Sequence, residues 1–266
     1  MAPLVLDRRA LAALRPVDRA TGAPVTAPLA VTAPGLRFTR NRSGLFTVTG
    51  VVPRTAAERE LAEHLESFTA PPSTPPAESL GFALTLADPA GRYLPRRLTL
   101  RLPRTPALVQ QPIDVALFPA ATAPLAPNWS AVRARLQRVV GGQPGPLSGA
   151  RLRLLRDADD VVLGEGFSDA RGEALAIAVG IPVIDFTLPS NGDGDDDGSA
   201  VVGTTSVLAR LAVHTASAAP EHPADPDAIT ATPFAWAPIA GPMPNVELRT
   251  GREVAGLTLL LGPTTT

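Results

Sequence analysis

The sequence predicts an all-β protein, built as two tandem antiparallel β-sandwich domains with one or two short helices. Three observations predict it. Apolar and polar residues alternate with period two in several short stretches, Pro and Gly fall between those stretches, and helical spacing is confined to two places. At 266 residues the chain exceeds what one ordinary core serves, so two domains are expected: residues 1–118, a Pro-rich linker at 119–128, and residues 129–266.

The elements follow in order. Thr55-Ala56-Ala57-Glu58 has the form of a capping box, with Leu61, Leu65 and Phe68 behind it at helical spacing. The Pro-rich stretch at residues 70–79 reads as a long loop inside the first domain. In Arg97-Leu98-Thr99-Leu100-Arg101-Leu102-Pro103 the leucines share one face and the polar residues the other, as in a half-buried strand. Residues 119–127 (PAATAPLAP) show no periodicity and read as the linker. Trp129, Val132, Leu136 and Val139 form a stripe that predicts a second short helix, ended by Gly141-Gly142. Arg151-Leu152-Arg153-Leu154 repeats the strand device, and Leu175, Ile177 and Val179 alternate with Ala174, Ala176 and Ala178. A strand is read over Val207–Val213, and Pro220 to Pro244 reads as a loop wrapping the second domain.

Composition excludes several functions. The chain carries 24 basic and 25 acidic residues, net charge −1, which argues against a nucleic-acid-binding surface. There is no apolar run long enough for a membrane span. The absence of Cys removes disulfides, thiolate catalysis and Cys-ligated zinc. All basic residues are Arg, the usage of a GC-rich genome, and without Lys there is no P-loop ATPase, Schiff base or Ser-Lys dyad. Residues 1–9 lack the pattern of a secretory signal, so a cytoplasmic origin is expected.

The halves repeat one plan. Asp18-Arg19-Ala20-Thr21-Gly22-Ala23-Pro24-Val25 and Asn41-Arg42-Ser43-Gly44 in the first half match Ser148-Gly149-Ala150-Arg151-Leu152 and Ser168-Asp169-Ala170-Arg171-Gly172 in the second. The paired glycines are 127 (149 minus 22) and 128 (172 minus 44) positions apart. In each, Asx followed by Gly supplies a local hydrogen bond and the φ > 0 residue of a tight turn. On these motifs, about 30 residues in each half, the sequence resembles the carboxypeptidase-regulatory-like, or transthyretin-like (prealbumin-like), β-sandwich family. Those pieces, with Gly91-Arg92-Tyr93-Leu94-Pro95-Arg96 and Gly166-Phe167, also resemble proteins encoded with phage-tail-like contractile injection systems. That resemblance implies a cap, accessory or adaptor subunit of a particle assembled in the cytosol and released without a secretion signal.

Catalytic apparatus is sparse. His64, His214 and His222 lack the spacing that brings two imidazoles to one metal, and no nucleophile elbow or phosphate loop is present. The histidines and Tyr-Arg-Gly-Ser-type tail of transthyretin-fold hydrolases, implied by the resemblance alone, are not matched by the ending Gly262-Pro263-Thr264-Thr265-Thr266. No cofactor is expected. Asp193, Asp195 and Asp197 followed by Gly198 resemble the start of a calcium loop, but Thr204 stands where the bidentate Glu belongs; the segment reads either as a calcium site or as a solvated acidic hairpin tip. Trp129 reads as core or junction packing, whereas Trp236 and Tyr93 are the candidate contact aromatics. The expected function is therefore non-enzymatic: a structural or adaptor subunit whose partners are other protein subunits, including further copies of itself. The alternative is a module binding carbohydrate or a cell surface.

Overall fold

A computed structural model describes residues 10–66, 79–104, 111–140, 142–182, 184–187, 201–204, 206–216, 223–231, 233–239 and 241–263. The chain divides into two compact units, Met1–Phe118 with Pro223–Asp227, and Pro119–His222 with Ala228–Thr266.

The first unit contains β1 (Ala12–Asp18), β2 (Ala30–Thr32), β3 (Leu36–Arg40), β4 (Phe46–Val51), α1 (Ala56–Glu66), β5 (Leu80–Ala87), β6 (Arg96–Leu102) and β7 (Ile113–Leu117). They form a sheet in the order β3-β4-β1-β7 and a smaller one in the order β2-β5-β6. All pairs are antiparallel except β1 with β7. Leu14, Val48 and Val115 from one sheet meet Leu84, Leu98 and Leu100 from the other in a single core, the two-layer arrangement that period-two patterning dictates. In β6 the leucines are buried while Thr99 and Arg101 are exposed. Arg96 is buried on the leucine face, where Nη1 donates to the Ala116 carbonyl (2.6 Å) and Nη2 to Asp227 (2.5 Å). At the start of α1, Thr55 Oγ1 accepts from the Glu58 N–H at 3.2 Å, while Glu58 reaches back to the Arg54 N–H at 2.6 Å. Phe68 lies outside the described residues.

The second unit contains β8 (Ser130–Val140), β9 (Gln143–Pro146), β10 (Arg151–Arg156), β11 (Val162–Phe167), β12 (Glu173–Ala178), β13 (Ile184–Thr187), β14 (Val201–Thr204), β15 (Val207–Ala216), β16 (Pro233–Pro238), β17 (Asn245–Leu248) and β18 (Glu253–Pro263); the short α2 (Pro226–Ala231) spans the division between the units. The strands run β10-β11-β12-β8-β18-β16-β15, and β15 pairs back onto β10, so seven strands close into a ring. β9 and β17 are added to β8 and β15, while β13 and β14 pair with each other. Leu136, Leu152, Leu154, Leu211 and Val213 fill the interior against Ala174, Ala176 and Ala178 of β12. Large side chains opposite small ones is how a narrow barrel is filled.

Three expectations are corrected here. The helix expected over Trp129–Val140 is the long strand β8. Val132 and Leu136 satisfy both periods, but buried Ala134 between them, with Arg133 and Arg135 on the opposite face, makes period two the one that closes a core. The segment 220–244, expected as a loop, contains β16 and α2; Pro233 and Pro238 sit at the first and last positions of β16, where a missing N–H is tolerated. In place of the two separate sheets expected for a sandwich, the second unit has one closed ring, because β15 pairs with β16 at one edge and with β10 at the other. Residues 119–128 belong to the second unit, where Ala123 is buried and its carbonyl accepts from Arg133 Nη2 at 2.9 Å.

The turns at Asn41 and Asp169 share three hydrogen bonds, and Asp169 Oδ1 accepts a further one from the Arg171 N–H at 2.8 Å. Asn41 N–H donates to the Leu45 carbonyl (2.9 Å), Gly44 N–H to the Asn41 carbonyl (3.1 Å) and Leu45 N–H to the Asn41 side chain (2.9 Å). Asp169 N–H donates to Glu173 (2.9 Å), Gly172 N–H to Asp169 (3.0 Å) and Glu173 N–H to the Asp169 side chain (2.9 Å). Gly44 and Gly172 have φ of 79° and 77°. Their surroundings differ: a Cβ on Gly172 would meet the Leu136 carbonyl oxygen at 2.3 Å, whereas on Gly44 the nearest atom is 3.8 Å away. Gly44→Ala is therefore expected to cost about 1 kcal/mol through φ alone. Gly172→Ala is expected to cost about 2–4 kcal/mol by adding overpacking. Denaturant unfolding of both variants checks the ordering, and equal losses would contradict it.

Candidate functional site

A concavity of the second unit lies where β18 bulges against β8. Val254 is opposite Val132 and Leu257 opposite Ala134, so Ala255 and Gly256 form a bulge on β18. Bulges in parallel pairs are uncommon and re-aim what lies beside them. Gly256 has φ of 78°, and a Cβ there would meet nothing within 4 Å. Beside it opens a cleft of about 340 Å³ lined by Arg133, Arg135, Glu173 and Thr258 among others.

The charges in the cleft are held unequally. Arg133 donates from Nε to Glu253 at 2.6 Å and from Nη2 to the Ala123 carbonyl at 2.9 Å. Arg135 donates from Nη2 to Glu173 at 3.0 Å, and Arg171 approaches the other oxygen of Glu173 at 2.8 Å. This set suits binding of a small polar group.

A second ionic group occupies the outer face of β10, β11 and β15. Arg151 stands opposite His214, and Arg153 donates from Nε to Glu165 at 2.9 Å. Arg151 and Glu165 are buried and His214 is half-buried. Burial, then Arg153 and Arg151, push the imidazole pKa below its ordinary value, with Glu165 opposing.

Tyr93, a predicted contact residue, packs half-buried against the first core and donates its hydroxyl to Asp18 at 2.7 Å. Asp18 also accepts from the N–H groups of Ala20 (2.8 Å) and Thr21 (2.9 Å), so it fixes the Gly22 turn. Burial and then the Asp18 carboxylate push the Tyr93 phenol above its usual range. Asp88 is drawn up by burial, but the N–H groups of Ala90 and Arg92 and the Arg92 guanidinium outweigh it and hold the carboxyl low. Trp236 lies in β16, half-buried against the barrel interior, with its indole nitrogen buried. Trp129 is half-buried ahead of β8, and His64 is exposed on α1. His222 and the calcium-loop candidates Asp193, Asp195 and Asp197 lie outside the described residues; the acidic segment joins β13 to β14, whose register runs from Ile184 opposite Thr204 to Thr187 opposite Val201.

Among the described residues, no three His, Cys, Asp or Glu side chains lie close enough to hold a metal ion, and no helix is long and apolar enough to cross a membrane. Sequence reasoning missed the cleft; its one signal was Gly256 inside an otherwise apolar strand.

No protein-family model and no curated protein matches the sequence. Among solved structures, a minor pilin of the Gram-positive pathogen Streptococcus agalactiae aligns over 86% of this chain and 68% of its own, at 9% identity and a TM-score of 0.28.

Two outcomes follow from these networks. Tyr93→Phe removes the donor to Asp18 and is expected to lower stability by about 1 kcal/mol in denaturant unfolding; no loss would show the bond to be idle. Because the pKa of His214 is lowered on folding, its stabilisation is complete above about pH 6.5 and is lost as pH falls through the folded value. His214→Gln is expected to flatten the fall in stability below that pH, and a profile identical to the parent protein's would contradict the assignment.

Proposed function

We propose that the chain is a non-enzymatic structural or adaptor subunit of a phage-tail-like contractile injection particle, assembled in the cytosol from this and other protein subunits. In this reading both units are divergent carboxypeptidase-regulatory-like, prealbumin-like repeats. The three hydrogen bonds shared by the Asn41 and Asp169 turns support a common plan.

The observation that carries the binding role is an apolar rim on the second unit. Val161, Val162 and Leu208 are 46%, 45% and 53% exposed. They flank the end of β10, since the Arg156 N–H donates to the Val161 carbonyl at 2.8 Å and the Asp157 N–H to the Leu208 carbonyl at 3.0 Å. Exposed apolar side chains on both sides of one strand end, with Arg156, Asp157 and Arg210 beside them, suit a protein partner. Tyr93 and Trp236 pack against separate cores, so they do not supply the aromatic strip that the carbohydrate reading needs.

The test is co-purification with tube, sheath and baseplate proteins from the same cell, followed by cryo-microscopy. Retention on the particle is expected, with Leu208→Asp reducing it at least about tenfold. Elution of the parent protein alone, with no density on the particle, would refute the reading.

A further inference from the structure

We propose that the cleft beside Gly256 binds a carboxylate group. It presents two guanidinium groups, Arg133 and Arg135, which project from alternate positions of β8 onto one face. Guanidinium matches carboxylate in charge and in planar, two-donor geometry.

The two arginines have different parts. Arg133 is fixed by Glu253 and the Ala123 carbonyl, and is 26% exposed, so its position is set before a ligand arrives. Arg135 is 55% exposed, and its guanidinium makes one hydrogen bond among the described residues, to Glu173. Leaving Glu173 strands no charge, because Arg171 holds the same carboxylate from its other oxygen at 2.8 Å. Arg135 can thus turn from Glu173 to an incoming carboxylate while the surrounding ion pairs persist. Thr258, exposed and opposite Arg135 in the β18–β8 register, adds a hydroxyl donor.

The shape agrees with a small ligand. Ala134 and Ala174 turn their side chains to the barrel interior, Ala121 and Ala255 add only methyl groups, and the volume of about 340 Å³ falls at the small end of ligand sites. The β18 bulge holds the opening: Ala255 and Gly256 face no partner in the β8 register, and Gly256 adds no side chain to fill it. A carboxylate reaches such a site from a small organic acid or from the C-terminus of a peptide.

The experiment is an NMR titration of the full chain with three probes: propionate, N-acetyl-Ala-Ala, and the C-terminal amide of that peptide. Saturable shifts of the Gly256 amide and the Arg135 side chain are expected with a carboxylate probe and not with the amide. Response to propionate assigns the site to small acids, and response to the peptide acid alone assigns it to a chain terminus. Arg135→Gln is expected to weaken binding at least about tenfold, whereas Arg101→Gln in the first unit leaves it unchanged. Gly256→Asp, a residue that tolerates positive φ, is expected to abolish the response by placing its own carboxylate in the opening. Equal binding of acid and amide, undiminished binding in Arg135→Gln, or no saturable shift with any probe would overturn the proposal.

Discussion

Six registered pairs join β10 to β15, from Arg151 opposite His214 to Arg156 opposite Ala209. Through them the seven strands of the second unit become a ring, and the ring has an inside. Leu152 and Leu154 on β10 and Leu211 and Val213 on β15 turn inward, where every apolar side chain finds others across a narrow interior. The same register sends Arg151, Arg153 and His214 to the outer face beside Glu165. A slip of β10 by one residue would turn Arg151 and Arg153 inward and its leucines outward, at the cost of burying two charges. The alternation of charge and leucine along β10 is therefore what fixes the register of the closure.

Closure also explains the glycines of β11 and the turn that follows it. A Cβ on Gly164 or Gly166 would come within 2.2 or 2.3 Å of carbonyl oxygens of Ile177 and Leu175, so β11 lies against β12 more closely than a side chain permits. Gly172 sits as tightly against Leu136 of β8. The equivalent turn in the first unit shares three hydrogen bonds with the Asp169 turn, and its glycine has room for a Cβ at ordinary contact distance. One local device thus serves two surroundings: in the first unit Gly44 answers to φ alone, and in the second Gly172 answers to φ and to packing.

Much of this was legible in the sequence. The all-β character, the strand at Arg96–Leu102 with its leucine face, the onset of α1 and the repeated Asx-x-x-Gly turns all rest on interactions within a few residues, which local pattern reports. What was not legible depends on partners far along the chain. Val132 and Leu136 fit a helix as well as a strand, and only β12 and β18 on either side decide for β8. Proline-flanked β16 reads as a loop until β15 and β18 supply its ladder. The cleft was invisible for the same reason, since Arg133, Glu173 and Gly256 come from three strands joined only by the ring. Tyr93, a candidate contact aromatic in the sequence, donates its hydroxyl to Asp18, 75 positions earlier, a pairing that local pattern does not report.

The functional account joins a scaffold to two surfaces, the rim at Leu208 and the cleft at Gly256, and both are positioned by the closed ring. The most direct test is the pairing that closes it. Nuclear Overhauser contacts between Leu152 and Val213 and between Leu154 and Leu211, with slow amide exchange along β10, are what the account predicts. Rapid exchange on β10 and no contact to β15 would mean two open sheets, and would contradict it.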